Sequence, residues 1–361
     1  MRGTASRAAC RISSGVSGRS VFTIASSMAR RCAVFRSRAI PPSCGNERTI
    51  SVNMPIITRC PSKGQVQEVV MRFAIVIAIV LLVAGVLAFA FFRAPAPAPD
   101  VVVTIAPLAA LMEPMLPEGA TLKQITPPGA SPHTYEPLPA DARAAEGTKL
   151  LVYVADSLDG WAAGLNAQKQ FKALDGVPDT MRIPYADEHG HEGADTIDPH
   201  FWLDPMTVME VLPALAGALN ESGVACVPEH VVQFAQDIFA MHNQIEVDLA
   251  PLRGKSVVVF HDSLRYLFNR YGIEVAGVIE RSPGKEPSPK DIQDLTLAIK
   301  DKGAIAVVTE PQYPEAPAKA LSESTGVPLI VIDPIGGVPG NTTYAELMQA
   351  IAKSLLSVVE K

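Results

Sequence analysis

From residue 101 onward the chain alternates short runs of β-branched residues with stretches whose apolar positions recur every three or four residues. Short apolar runs bounded by turn signals fit strands buried on both faces, and the 3.6-residue period fits amphipathic helices. Strands are expected at 101–105, 122–125, 149–154, 256–260, 305–309 and 329–332. Helices are expected at 108–115, 140–147, 158–166, 205–220, 289–300, 315–325 and 343–359. Asp204 precedes Pro205 as an N-cap before a proline at the first helical position, and Ser288 and Asp291 flank the start of another helix. Strands alternating with helices imply α/β layers with mostly parallel sheets.

One stretch, 228–254, breaks the alternation. Val231, Phe234, Ile238, Met241, Ile245 and Leu249 make one apolar face, and Pro251 and Gly254 end it. A helix of some twenty residues reaches about 30 Å. It reads as a rigid strut between two α/β lobes, 101–227 and 255–361. His230 and His242 on it are expected on solvated faces.

Upstream, residues 1–70 show no sustained apolar period and form no recognisable domain. Their Arg/Ser/Ala-rich, acid-poor composition suits an organellar transit peptide, but the reading preferred is a leader upstream of the functional start. Met71 and Arg72 followed by the uncharged run 73–92 make a complete export signal by themselves. The run is long enough to be either a signal peptide, cleaved near Ala88-Phe89-Ala90, or an uncleaved signal anchor. It places the remainder in the periplasm or an equivalent extracytoplasmic space. The Ala-Pro alternation of 93–100 favours a stiff extended linker.

Composition adds two constraints. With 48% hydrophobic and 19% charged residues, the chain has the apolar mass of a globular protein. Residues 1–70 carry ten Arg and one Lys against Glu47 and Glu68, so the formal charge of −6 leaves −15 on residues 71–361. An acidic folding part argues against nucleic acid as a partner. Cys10, Cys32, Cys44 and Cys60 lie in the leader, and Cys226 is alone in the folding part, so no disulfide is expected there. The apolar run ends without a cysteine, so no lipoprotein is expected.

The candidate chemistry lies just beyond strand ends. The 122–125 strand runs into a loop carrying His133 and Glu136, and the 256–260 strand runs into His261 and Asp262. The 305–309 strand runs into Glu310, and the 329–332 strand into Asp333. Ligands of open parallel sheets bind outside these carboxyl ends. His200 sits in IDPHFWLDP, with Asp198 and Asp204 as candidates to orient its ring. Three imidazoles and one carboxylate suit a tetrahedral Zn²⁺ site. Neither HExxH nor CxxC is present, and a lone histidine at a strand end is more often a loop residue bonded to backbone than a ligand. His189 and His191, in an acidic loop, are either solvated linker residues or an auxiliary metal-collecting pair.

GASPHTYEP (129–137), DPHFWLDP (198–205), VVVFHDSLRYLFNRYGI (257–273), TEPQY (309–313) and IDPIGG (332–337) together resemble the zinc/manganese solute-binding proteins of ABC transporters, in the family's order. The resemblance covers 101–361. It implies two α/β lobes, one connecting helix and a metal site in the cleft between them, with ligand roles for His133, His200, His261 and Asp333. It implies Zn²⁺ as the bound substrate, with Mn²⁺ the alternative, and a third imidazole tilts the set toward zinc. It further implies a monomer that delivers the ion to an inner-membrane permease with a cytoplasmic ATPase, and no enzyme activity. The other readings are a metal-binding adhesin, a metallochaperone, or a zinc hydrolase with an open water position and Glu310 as base.

Overall fold

The computed structural model describes residues 63–92, 97–184, 197–280 and 287–359. The expected leader up to residue 62, residues 93–96 of the expected linker, and the loop holding His189 and His191 lie outside them. The chain divides into two units, Met1–Phe92 and Arg93–Lys361. In the first, helix α1 (Lys63–Phe92) contains the uncharged run, with Phe73, Leu81 and Leu82 about two-thirds exposed. Among the residues with described side chains, no helix is long and apolar enough to cross a membrane. Those of 87–92, the end of the run, lie outside that set.

In the second unit, three successive valines start the first sheet. Strand β1 (Val101–Val103) is buried on both faces, as the central strands of a parallel sheet must be. Helix α2 (Ala106–Met112) follows, with Pro107 in its first turn; a 3₁₀ turn containing Pro114 extends it to Met115. Strand β2 (Leu122–Gln124), helix α3 (Pro139–Ala145), strand β3 (Leu150–Tyr153), helix α4 (Asp156–Asp159) and strand β4 (Lys169–Lys172) complete the sheet. Its order is β2-β1-β3-β4, and every pairing is parallel. The helix expected at 158–166 is instead α4 plus a 3₁₀ turn. The cause is Asp159, which is buried and accepts from the backbone N–H of Val154 and Ala155 and from Thr104 Oγ1, folding the segment back onto the strand ends.

Helix α5 (Pro205–Glu221) starts at the Asp204 cap, and helix α6 (Pro228–Asp248) is the long element between the sheets. Strand β5 (Ser256–Val259), helix α7 (Arg265–Tyr271), strand β6 (Glu274–Val278), helix α8 (Pro289–Lys302), strand β7 (Val307–Thr309), helix α9 (Glu315–Thr325), strand β8 (Leu329–Val331) and helix α10 (Tyr344–Leu356) follow. The second sheet has the order β6-β5-β7-β8 and is also wholly parallel. The chain is thus an α/β protein with two four-stranded parallel sheets. Ser288 and Thr343 close capping boxes with Asp291 and Glu346, which fixes the starts of α8 and α10.

One apolar core runs through both sheets, and smaller clusters around Val258 and Leu295 and around Val102 and Leu151 lie apart from it. Val103 and Val152 of the first, Val259 and Val308 of the second, Ile238 and Ile245 of α6, Trp202 and Tyr344 all belong to it. Helix α10, last in sequence, packs on β8 but also on α6 and on α2. His242 departs from the solvated position expected of it. It is 8% exposed, and its Nδ1 lies 3.1 Å from Tyr271 Oη, so α6 buries a polar group only because α7 supplies the partner.

Candidate metal centre

Three loops bring one histidine each to the same point. Beyond β2 the backbone stays bonded to β1 through Ile125 N to the Val103 carbonyl and Thr126 N to the Thr104 carbonyl. The chain then leaves the sheet and turns at residues 131–134, presenting the half-buried His133. Beyond β5, Phe260 N donates to the Val308 carbonyl and His261 follows in extended conformation, 1% exposed. His200 lies immediately before a 3₁₀ turn, Phe201–Leu203, whose three apolar side chains are fully buried and pin the loop to the core.

The Nε2 atoms of His133 and His200 are 3.2 Å apart, as are those of His133 and His261. All three rings offer ligand nitrogens within 4.8 Å of one another. Donors on a tetrahedron of radius about 2.0–2.1 Å stand roughly 3.3–3.4 Å apart, so the spacing fits one zinc-sized ion. The cavity that these rings line has a volume of about 10 Å³, room for one water-sized sphere and too small for an organic solute.

The electrostatics keep the nitrogen lone pairs available. Burial, followed by the neighbouring His200 and His261 rings, holds His133 well below an ordinary imidazole. Burial and then His200 hold His261 down at about 3. A hydrogen bond to the Glu280 backbone opposes that shift. For His200 the orientation is explicit. Asp198 Oδ1 accepts from the His200 backbone N–H at 2.9 Å and lies 2.7 Å from Nδ1. A proton on Nδ1 leaves Nε2 as the bare donor, the usual service of a carboxylate behind a metal-binding histidine.

The other expected residues divide. Asp204 does not reach the His200 ring; it caps α5 through Met206 N and Thr207 Oγ1 and pairs with Arg270. Asp333 is not among the three converging groups. Its Oδ1 accepts from Gln312 Nε2 and from the backbone N–H of Ile335 and Gly336, organising the loop after β8. Glu310 lines the same small cavity, 5% exposed, and accepts from Ser263 Oγ at 2.6 Å; burial pushes its carboxyl up to about 8. Glu136 is exposed. His189 and His191 lie outside the described residues. Sequence reasoning overlooked Ser263 and Gln312, although both lie within the quoted motifs, because a small hydroxyl or amide beside a ligand has no signature of its own.

Comparison with known proteins bears on this geometry. The family model described as "ZnuA: Zinc-uptake complex component A periplasmic" matches residues 101–358. The chain is 28% identical over 310 residues to a High-affinity zinc uptake system protein ZnuA from Brucella suis, covering 72% of this chain and 92% of that one. It is 26% identical to the protein of the same name from Paracoccus denitrificans, covering 76% and 96%. Among solved structures, the fold matches the periplasmic zinc binding protein TroA from Treponema pallidum with a TM-score of 0.61 at 18% identity, covering 73% of this chain and 99% of that one. The match runs through both sheets and all three histidine loops, and the chain belongs to the family of periplasmic zinc-uptake complex component A proteins.

Proposed function

We propose that this chain captures a zinc ion outside the cytoplasm and delivers it to a membrane permease driven by a cytoplasmic ATPase. The observation that carries the reading is the convergence of His133, His200 and His261 on a cavity that admits one ion. Neutral imidazoles match the borderline-soft character of zinc better than that of manganese, which favours oxygen. Asp333 commits Oδ1 to the loop, which leaves Oδ2 as the atom it offers toward a fourth position; water is the other candidate there. The role is carriage, in which no bond of a substrate is made or broken. The apolar run of α1 serves as the export signal or anchor, and the protein works as a monomer on the outer face.

Isothermal titration of metal-stripped protein tests this. One zinc per chain is expected, with affinity sharply reduced in His133→Ala because one of three nitrogen donors is gone. Unchanged affinity in that variant contradicts the assignment.

A further inference from the structure

The segment carrying His200 belongs to the first half of the sequence, yet its side chains are tied to the second. Trp202 Nε1 donates to the Pro334 carbonyl at 2.9 Å, and the Trp202 carbonyl accepts from Tyr344 Oη at 2.8 Å. Asp204 then takes two hydrogen bonds from Arg270, Nε to Oδ1 and Nη2 to Oδ2, each 2.7 Å. The paired, parallel geometry constrains direction as well as distance, unlike a single-point ion pair. The Asp204 side chain is only 6% exposed and that of Arg270 32%, so solvent screens the pair less than a surface bridge.

Both partners occupy leveraged positions. Asp204 also caps α5, so its carboxylate holds the chain four residues beyond His200 in one place. Arg270 lies near the end of α7, the helix that begins directly after the turn following His261. The next residue, Tyr271, meets His242 on α6, and Tyr266 Oη accepts from Ile183 N, which neighbours the entry to the His200 segment. Helix α7 therefore carries His261 at its head and grips the His200 segment near its tail.

We propose that the Asp204–Arg270 pair is a positioning clasp, which sets His200 against His261 and so governs how long a captured ion stays bound. This rests on the zinc-capture function above. Neither residue touches the ion; the pair acts through the segment it holds. Two of the three donors are thereby preset on one side of the site, and His133 closes it from the β2 loop.

The test is zinc release from the full chain into excess chelator, followed by stopped flow, for wild type, Arg270→Gln, Asp204→Asn and the double variant. Asp204→Asn keeps the volume and an oxygen for the α5 cap, so it decides the matter even if Arg270→Gln fails to fold. Each single variant is expected to release zinc about 10-fold faster at unchanged stoichiometry, the scale seen when an outer partner of a metal ligand is lost. The double variant is expected to match the singles, because both remove one interaction. Arg270→Lys should restore part of the slow release. Release rates equal to wild type, even with a lower melting temperature of the metal-free protein, overturn the clasp and leave capture standing. Rates that multiply in the double variant overturn it as well. A wild-type protein that takes up no zinc overturns the capture function, and the clasp with it.

Discussion

Asp198 is fully buried and its Oδ1 serves two donors of one residue, the backbone N–H and the ring of His200. Replacing it with Asn puts an uncharged amide behind the ring and weakens the preference for a bare Nε2. Asp198→Asn is expected to lower zinc affinity about 10–100-fold with stoichiometry unchanged, measured by competition against a chelator. The titrating groups make a second prediction for the metal-free protein. His133 and His261 sit below the ordinary imidazole value of 6.5, so the unfolded chain takes up protons that the fold refuses. The contribution of His261 to stability is full above about 6.5 and is lost as pH falls toward 3, and that of His133 changes in the same direction. Glu310 has the opposite sign. Its carboxyl is raised from 4.5 to about 8, so its contribution is full below 4.5 and is lost as pH rises through 8. Metal-free Glu310→Gln should therefore melt above wild type beyond pH 8, with the gap closing toward pH 4.5. Scanning calorimetry that finds no pH-dependent gap removes the buried carboxyl from the account.

At the level of elements, the connecting helix can be tested through its core face. Ile245 is 2% exposed, and Ile245→Ala should cost about 2–5 kcal/mol by transfer and cavity terms, read from denaturant midpoints. All six strands expected from apolar runs are present; β1, β3, β5 and β7 are buried at every position, and a strand covered on both faces must be apolar along its length, whereas the edge strands β2 and β8 are only partly buried. The two that were missed are β4 and β6, both at sheet edges. Lys169–Lys172 and Glu274–Val278 have partly exposed side chains, and Gly277 interrupts the second, so neither shows a continuous apolar run. Helix α7 is not expected from the sequence: Tyr266, Leu267, Phe268 and Tyr271 are buried and Arg265, Asn269 and Arg270 are not, but seven residues make only about two turns, too few to establish a period. His242 was misplaced for a related reason. The period of α6 shows which face is apolar, but not that Tyr271, 29 residues away, would satisfy a ring buried there. His133 and His261 were legible because each follows a strand end, and His200 because it sits in the motif DPHFWLDP. The commitments of Asp204 to Arg270 and of Asp333 to its own loop depend on distances that no spacing encodes.

For the whole molecule, a core continuous through both sheets and α10 packed on α2 tie the two halves together. Gly337 reinforces the tie. Its φ is +80°, and a Cβ there would lie 2.7 Å from the Cβ of Ala106, so the loop after β8 approaches α2 at backbone range. Binding to such a framework appears mainly as stability. Free zinc at 1,000 times Kd should stabilise the folded state by about 4 kcal/mol, raising the melting temperature on the order of 10 °C. Ligation by the three histidines is read from the zinc K-edge absorption spectrum of the protein loaded with one equivalent of metal. Three imidazole nitrogens at about 2.0–2.1 Å are expected. A shell of oxygens alone, or a spectrum unchanged when His133, His200 and His261 are all replaced by Ala, would contradict that ligation.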